Sequence, residues 1–206
     1  MSGLARDPQV VLVHGAAHGA WCWDRVRDGL TAEGIQTHTL DLPLTGLHDD
    51  ADAVGAHDSV ARLVYLAALM PGEGESAGAA AMAAGDADQP DPSTALDIDG
   101  AGQFSIPAEA ATMMFYNECD PDIAAKSAAQ LRPQSLRTLQ EVPKVIAWQT
   151  KPSTYVICTN DQAVVPDLQR VFAARCTDSV AWASDHSPFL SHPTLVVKLL
   201  STMARG

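Results

Sequence analysis

Apolar runs alternate along the chain with stretches whose apolar residues recur at helical spacing. The runs VVLVHG (10–15), IQTHTLDLP (35–43), RLVYLAAL (62–69), STYVICTND (153–161) and SVAWASDH (179–186) predict five strands. The stretches WDRVRDGLTAEG, PDLQRVFAARC and HPTLVVKLL predict helices between and after them. Strands that alternate with helices indicate an α/β fold, with a mostly parallel sheet of about five strands flanked by helices.

Two of these predicted helices show which positions should face the core. The expected core positions are Trp23, Val26 and Leu30 in the first helix and Leu168, Val171 and Phe172 in the second. Gly34 is a predicted C-terminal stop for the first helix, and Pro193 suits the first turn of the last one.

The middle block, from residue 71 to about 150, breaks the alternation. Its first part, AAAMAAGDADQPDPSTALDIDGAG, is small, polar and turn-rich, which predicts a loop or mobile insert. A helix should follow in DPDIAAKSAAQL, with Asp120 as its N-cap and Pro121 in its first position. Long loops in compact domains are uncommon unless they are functional, so the block is predicted to be a cap over an active site. The alternative is that the block is an ordinary loop-rich segment rather than a cap.

Composition narrows the class of protein. A chain of 206 residues predicts a single domain over 1–206, and 47% hydrophobic residues is typical of a globular protein. A net charge of −12 argues against nucleic-acid or anionic-membrane partners. No apolar run approaches the ~20 residues of a membrane span, and MSGLARDPQ lacks the apolar core of a signal peptide. The four cysteines show no C-x-x-C spacing, so reduced thiols and a cytoplasmic location are expected.

Two strand ends carry residues suited to catalysis. Asp161 lies at the carboxyl end of one predicted strand, and His186 follows the next, where open α/β sheets place catalytic groups. An aspartate can fix the tautomer of a histidine and stabilise its protonated form during acyl transfer. We therefore predict that Asp161 and His186 form a hydrogen-bonded pair. The alternatives are a turn aspartate and a surface-loop histidine, and the neighbouring Asp185 is predicted to cap a loop.

Metal sites are weaker interpretations of two other stretches. His14 and His18 have the i, i+4 spacing of a metal pair, but Gly15 and Gly19 argue against a helix there, and the glutamate of H-E-x-x-H is absent. The stretch HDDAD (48–52) could form a cluster of ligands, although a solvated acidic helix start fits it better.

Four stretches together resemble one family. VLVHGAAHGAWCW, RLVYLAALMPGEGES, STYVICTNDQAVVP and DHSPFLSHP resemble the α/β-hydrolases, in the branch of small plant methylesterases, hydroxynitrile lyases and their bacterial relatives. The resemblance covers nearly the whole chain. It implies an α/β-hydrolase with the Ala16 N–H as an oxyanion donor, His186 as general base and acid, and Asp161 as its orienter. It implies no metal or organic cofactor.

The same resemblance raises the question of the nucleophile. The family carries its serine on a strand between IQTHTLDLP and RLVYLAAL, in a G-H-S-x-G-G-like motif. Here the interval 43–61 has 19 residues, one serine (Ser59) and no G-x-S. One parallel crossover needs a dozen or more residues, so no extra strand fits. We predict a shortened fold that lacks roughly 30 to 40 residues near Val54–Gly55, the size of a βα unit. The strand that leads to His14 should then pair directly with the strand starting at Arg62.

A G-x-S-x-G pattern does occur at residues 74–78, with Ser76 at its centre. An elbow serine follows its strand directly, whereas residues 70–73 separate this motif from the preceding strand. Pro71, inside that gap, cannot donate to a strand ladder. Ser76 is therefore predicted to open the cap rather than to act as the nucleophile.

The expected function is serine-type hydrolysis of a small carboxylic ester or lactone, with little or no activity in the chain as written. The partner would be a small apolar ester-like substrate, and a homodimer is compatible with this interpretation. Met113, Met114, Phe115 and Tyr116 suggest an apolar pocket in the cap, or core packing. The alternatives are a non-catalytic small-molecule binder on the same scaffold, and a cofactor-free lyase that uses the histidine as its base.

Overall fold

The computed structural model describes residues 8–43, 54–83 and 95–206. The strands within these ranges are β1 (Gln9–Val13), β2 (Gln36–Leu40), β3 (Leu63–Leu66), β4 (Asp97–Ile98), β5 (Gln103–Ser105), β6 (Gln134–Ser135), β7 (Ser153–Cys158) and β8 (Asp178–Trp182). The α-helices are α1 (Asp24–Ala32), α2 (Ala77–Met82), α3 (Ala108–Phe115), α4 (Pro121–Ala128), α5 (Arg137–Gln140), α6 (Pro166–Ala173), α7 (Pro188–Ser191) and α8 (Pro193–Arg205). Short 3₁₀ helices cover Ala20–Trp23 and Ala147–Gln149. No helix in the described ranges is long and apolar enough to cross a bilayer.

All five predicted strands are present and parallel, which confirms the α/β class, but they form two sheets. One sheet is β1–β2, in which Gln9 pairs with Gln36 and Val13 with Leu40. The other has the order β3–β7–β8, with Leu63 paired to Ser153 and Thr154 to Asp178. The prediction that the strand leading to His14 pairs with the strand starting at Arg62 is wrong, because no ladder joins β1 to β3 among the described strands.

Exposure explains why this pairing is not required. The prediction relied on the rule that buried backbone groups must find partners. Val11 of β1 is 46% exposed, and all four residues of β3 are partly exposed. Water therefore reaches both strands, and their backbones need no ladder with each other. The closed, shortened sheet is replaced by two sheets with separate edges.

Strand β7 is the centre of the larger sheet and is buried along its whole length. Tyr155 and Ile157 pack on one side with Leu168 and Phe172 of α6, while Val156 and Cys158 belong to a different cluster. This alternation is what a strand covered on both faces requires. On α6 the predicted core position Val171 is wrong, since Val171 is 47% exposed.

The first and last helices cover the smaller sheet. Val26 and Leu30 of α1 are buried in a cluster with Leu12 of β1 and Val197 of α8, which confirms the predicted core positions of the first helix. Trp23, in the preceding 3₁₀ helix, belongs to the same cluster. Helix α1 ends at Ala32, two residues before the predicted stop at Gly34, and α8 begins at Pro193 as predicted.

The middle block contains more regular structure than the sequence predicted. Strands β4, β5 and β6 form a small antiparallel sheet, and α3 precedes the predicted helix α4. The side chain of Asp120 accepts a hydrogen bond from the Asp122 N–H, so the predicted N-cap is confirmed. Strands of two or three residues leave no periodic signal, which is why the turn-rich segment concealed them. The acidic stretch 48–52 lies outside the described residues.

Candidate active site

The loops that follow β7 and β8 bring Asp161 and His186 together. The His186 Nδ1–H donates to Asp161 Oδ2 at 2.8 Å. The loops themselves stay in register beyond the strands, since the backbone N–H of Thr159 donates to the carbonyl oxygen of Trp182, and that of Asn160 to Ser184. The predicted contact between the two side chains is confirmed, and adjacent parallel strands are its cause.

Asp161 is held by more than the histidine. Its side chain is fully buried, and its Oδ1 accepts hydrogen bonds from the backbone N–H of Ala163 at 2.7 Å and of Val164 at 3.0 Å. Donors thus converge on both oxygens of this buried carboxylate and fix its position. Asp161 is therefore the turn aspartate that one interpretation expected and the partner of His186 as well.

Gln169 of α6 is a residue that the sequence reasoning missed. It is fully buried, and its Nε2 donates to Asp161 Oδ2 at 2.8 Å and to the carbonyl oxygen of Val164 at 2.6 Å. Its Oε1 accepts from the Cys158 N–H at 2.8 Å. The sequence offered one signal for this role, a polar residue directly after the apolar Leu168 on an amphipathic helix. A glutamine in such a place, when buried, must find hydrogen-bond partners.

The surroundings of His186 stabilise its protonated form relative to a free imidazole. Burial lowers the pKa of His186, but the Asp161 carboxylate and the hydrogen bond to it outweigh burial, so the pKa lies above its usual 6.5. The bond to Asp161 uses Nδ1, which leaves Nε2 for a substrate or nucleophile. The side chain is 21% exposed, so solvent reaches part of the ring.

Asp185 has the structural role that the sequence predicted. Its Oδ1 accepts hydrogen bonds from the Ser187 N–H at 3.2 Å and from the Ser191 hydroxyl at 2.6 Å. These contacts fix the turn that enters α7. Its Oδ2 accepts from the backbone N–H of Glu118 at 3.3 Å. Asp185 therefore caps a loop and ties it to the middle block.

The turn after β1 presents the predicted oxyanion donor. Ala16 is exposed, and among the described residues no acceptor lies within hydrogen-bond reach of its N–H. Ala17 is buried and has φ of +59°, a conformation that residues with a side chain rarely adopt. His14 closes the base of the turn, because its Nδ1–H donates to the Gly15 carbonyl and its Nε2 accepts from the Leu42 N–H.

His18 is buried beside this turn and is neutral. Its Nδ1–H donates to the Ala16 carbonyl at 2.8 Å, so Nε2 must accept the hydrogen bond from the Tyr116 hydroxyl, also at 2.8 Å. Burial lowers the pKa of His18 to about 4. Both histidines of the proposed metal pair thus use their ring nitrogens for hydrogen bonds within the protein.

Phe115 connects the turn to the Asp161–His186 pair. Its ring centroid lies 5.1 Å from that of His186 and 5.5 Å from that of His18. Phe115 and Tyr116 are buried, whereas Met113 is 63% exposed on the outer side of α3. The apolar stretch at 113–116 is therefore divided, and only part of it faces the site.

The structure explains Ser76 as a helix cap. Its hydroxyl oxygen accepts a hydrogen bond from the Ala79 N–H at 3.2 Å, and its backbone is ordinary extended chain. Gly74 has φ of +77°, and a Cβ on Gly78 would lie 2.9 Å from the carbonyl oxygen of Leu139. The glycines thus serve a tight turn and a close helix contact, and the serine lacks the strained turn of an elbow.

No hydroxyl or thiol in the described ranges makes a hydrogen bond with His186 Nε2. Ser59, the one serine between the second and third predicted strands, instead bonds to Nδ1 of the exposed His57 at 2.8 Å. The described residues of the site therefore comprise the Asp161–His186 pair and the N–H of the exposed Ala16.

Within the described residues, one further cluster contains side chains of the types that bind metal ions. Atoms of Glu118, Asp185 and His192 lie within 4.8 Å of one another. The contacts already described satisfy Asp185, and Glu118 accepts a hydrogen bond from Asn160 Nδ2 at 2.5 Å. These bonds account for both carboxylates without a cation.

Comparison with known proteins places this geometry in a family. The sequence profile of the Alpha/beta hydrolase family matches residues 10–199. The chain belongs to this family. It is 30% identical over 153 residues to the protein named Alpha/beta hydrolase nvfD of Aspergillus novofumigatus (strain IBT 16806), which covers 71% of this chain and 58% of that protein. It is also 49% identical to Methylesterase 3 of Arabidopsis thaliana over 47 residues, 23% of this chain and 18% of the relative.

Solved structures confirm the fold. Polyneuridine aldehyde esterase aligns over 97% of this chain and 100% of its own, with a TM-score of 0.80 and 16% sequence identity. The methylesterase MES16 from Arabidopsis aligns over 95% and 98%, with a TM-score of 0.69 and 20% identity. By sequence, however, the chain spans 58% of the fungal relative and a smaller share of the plant relatives.

Proposed function

We propose that this protein derives from serine-type hydrolases of small, neutral carboxylic esters or lactones, and that His186 is the general base of that reaction. The observation that carries the proposal is the 2.8 Å hydrogen bond from His186 Nδ1 to the buried carboxylate of Asp161. This bond leaves Nε2 to accept a proton from a nucleophile and to return it to the leaving group.

Ala16 completes the proposed machinery. Its N–H, which has no acceptor among the described residues, can donate to the oxyanion that forms when a nucleophile attacks an ester carbonyl. The neighbouring wall contains the ring of Phe115, which suits an apolar acyl or alcohol group. The names of the relatives, esterase and methylesterase, support carboxylic esters as the substrate class.

The proposal includes that the present chain has little or no serine-esterase activity. Acyl transfer needs a nucleophile within hydrogen-bond reach of the base, and the serines that the sequence singled out bond elsewhere. We attribute this to the absence of a βα unit near Val54–Gly55. The split between β1 and β3 supports this explanation, because such a unit would supply the strand between them. The coding sequence across this junction is the direct test.

A fluorophosphonate probe tests the chemistry, because it modifies serines that a neighbouring base activates. We expect no stoichiometric label on the purified protein after peptide mapping. Stoichiometric modification of Ser76 that both Ser76→Ala and His186→Ala abolish would contradict the proposal. That result would identify Ser76, at the centre of the 74–78 motif, as the nucleophile.

The second candidate function is a non-catalytic binder of small ester-like or carboxylate molecules. The observation that favours it is a partly exposed His186 beside the ring of Phe115, with no serine of the described residues bonded to its Nε2. Binding of butyrate, followed through the NMR signals of the His186 ring, would support this candidate where no ester turnover is found.

A further inference from the structure

The turn that presents Ala16 is strained and cannot hold its shape alone. Ala17 has φ of +59°, and non-glycine residues keep such a conformation only where their surroundings impose it. The Ala16 carbonyl is fixed by the His18 ring, as described above. The other side of the same peptide unit, the Ala17 N–H, is buried and needs a separate partner.

That partner comes from the middle block. The Ala17 N–H donates to Oε1 of Gln134 at 2.6 Å, and the contact is buried. Arg132 adds two more bonds, since its backbone N–H donates to the Ala17 carbonyl at 2.8 Å and its guanidinium to the His18 carbonyl at 2.9 Å. Gln134 and Arg132, more than a hundred positions away in the chain, therefore hold the side of the turn that His18 does not contact.

The orientation of the Gln134 amide is itself determined. Its Nε2 lies 2.6 Å from the Thr138 hydroxyl, whose own hydrogen is committed to the carbonyl oxygen of Ser135 at 2.7 Å. Thr138 must therefore accept from Nε2, which places the amide oxygen towards Ala17. Gln134 is nearly fully buried, so it has a fixed acceptor aimed at one backbone N–H.

We propose that Gln134, assisted by Arg132, is a positioning residue that fixes the Ala16–Ala17 peptide so that the Ala16 N–H stays presented to the site. The inference rests on the proposed role of Ala16 as an oxyanion donor. It deepens that role, because it makes the presentation of the donor depend on the middle block. A preorganised donor stabilises negative charge without reorganisation, so a loosened turn binds anionic oxygen less well.

The test replaces the acceptor and then restores it. Gln134→Met keeps the length of the side chain and removes the acceptor, Gln134→Glu keeps an acceptor, and Gln130→Met is a matched control on an exposed glutamine nearby. Amide hydrogen exchange measured by NMR reports the Ala17 bond. The amide proton shift of Ala16 during titration with butyrate, a carboxylate with the charge of the oxyanion, reports the donor.

We expect Gln134→Met to speed the exchange of the Ala17 amide about tenfold, the scale of one lost hydrogen bond. It should also reduce the Ala16 shift that butyrate induces. Gln134→Glu should restore slow exchange of the Ala17 amide, and Gln130→Met should match the wild type in both measurements. Equal acceleration of exchange throughout the core of Gln134→Met, with no rescue by Gln134→Glu, would overturn the proposal in favour of a purely structural role.

The experiment distinguishes a failure of the Gln134 proposal from a failure of the proposed function. If butyrate moves no Ala16 signal in the wild type, the assignment of Ala16 as donor fails, whereas Ala17 exchange still decides whether Gln134 fixes the turn. If Ala16 responds to butyrate equally in the wild type and in Gln134→Met, the donor assignment stands and the positioning role of Gln134 is refuted.

Discussion

The sheet β3–β7–β8 carries the Asp161–His186 pair, whereas the sheet β1–β2 carries the turn with Ala16, and the two are built differently. Strand β7 is paired on both sides and buried throughout, so the loops that leave β7 and β8 start from fixed positions. Among the described strands, β1 pairs with β2 and with no other, and Val11 in it is 46% exposed.

The stabilising contacts of the two site regions follow from this difference. Asp161 takes its partners from local sources, namely the loop after β7, helix α6 and the adjacent strand. The Ala16 turn takes local partners in His14 and His18, and it adds distant ones in Tyr116, Arg132 and Gln134 of the middle block. The region on the larger sheet is thus held by that sheet and its neighbouring helix, whereas the turn after β1 also needs distant segments.

The largest effect is expected in the region that is complete. In Asp161→Asn the carboxylate that raises the pKa of His186 is lost while burial, which lowers it, remains. The pKa of His186 should therefore fall below its value in the wild type. An NMR titration of the imidazole protons measures it, and Asp167→Asn, on the exposed side of α6, is the matched control. An unchanged pKa in Asp161→Asn would contradict the pairing.

A second prediction concerns acid sensitivity in the Ala16 region. His18 is neutral in the folded protein down to pH of about 4, whereas in the unfolded chain it binds a proton below about 6.5. The unfolded state therefore binds more protons in this window, and His18 lowers the free energy of unfolding by about 1.4 kcal/mol per pH unit on acidification. Any contribution from His186 has the opposite sign, since its raised pKa stabilises the fold at low pH and is lost as pH rises through it.

Urea denaturation at several pH values between 4 and 7 isolates the His18 contribution. We expect a shallower pH dependence in His18→Gln than in the wild type, and no change in His57→Gln, since His57 is exposed. Identical slopes for the wild type and His18→Gln would show that His18 is already accessible to protons in the folded state.

A third prediction compares the two sheets through one substitution. Val156→Ala, at a fully buried position of β7, should lower the free energy of unfolding by about 2–3 kcal/mol through lost burial and a residual cavity. Val11→Ala, at the exposed position of β1, should stay within about 0.5 kcal/mol of the wild type. Chemical denaturation monitored by tryptophan fluorescence gives both values. Equal losses would mean that β1 is covered in solution.

The smallest effect is expected at Ser76. Ser76→Ala removes the N-cap of α2 and should lower the free energy of unfolding by about 1 kcal/mol, while Ser76→Asp, which keeps an acceptor, should retain it. Neither variant should alter the NMR titration of His186. A shift of that pKa in Ser76→Ala would place the serine near the catalytic pair and revive the elbow interpretation.

The strand pattern and the strand-end residues were readable from the sequence because they depend on local chemistry. Five strands, the Asp120 cap and the Asp161–His186 pair follow from apolar runs and from where parallel strands end. The helical periodicity wrongly placed Val171 in the core, because neighbouring positions on α6 fit a core-facing spacing almost equally well. Only the packing shows that Gln169 is the inward residue. The short strands β4 to β6 carry no period at all.

The sequence by itself indicated an α/β fold with an aspartate and a histidine that each follow a strand, because apolar runs and their ends are local properties, and its motifs resemble those of the α/β-hydrolases. Only the tertiary structure decided that β1 and β3 lie in separate sheets, that Gln169 supports Asp161, and that Gln134 supports the turn at Ala16. These relations join segments distant in sequence, and a buried amide takes whichever partner the packing of those segments brings within about 3 Å.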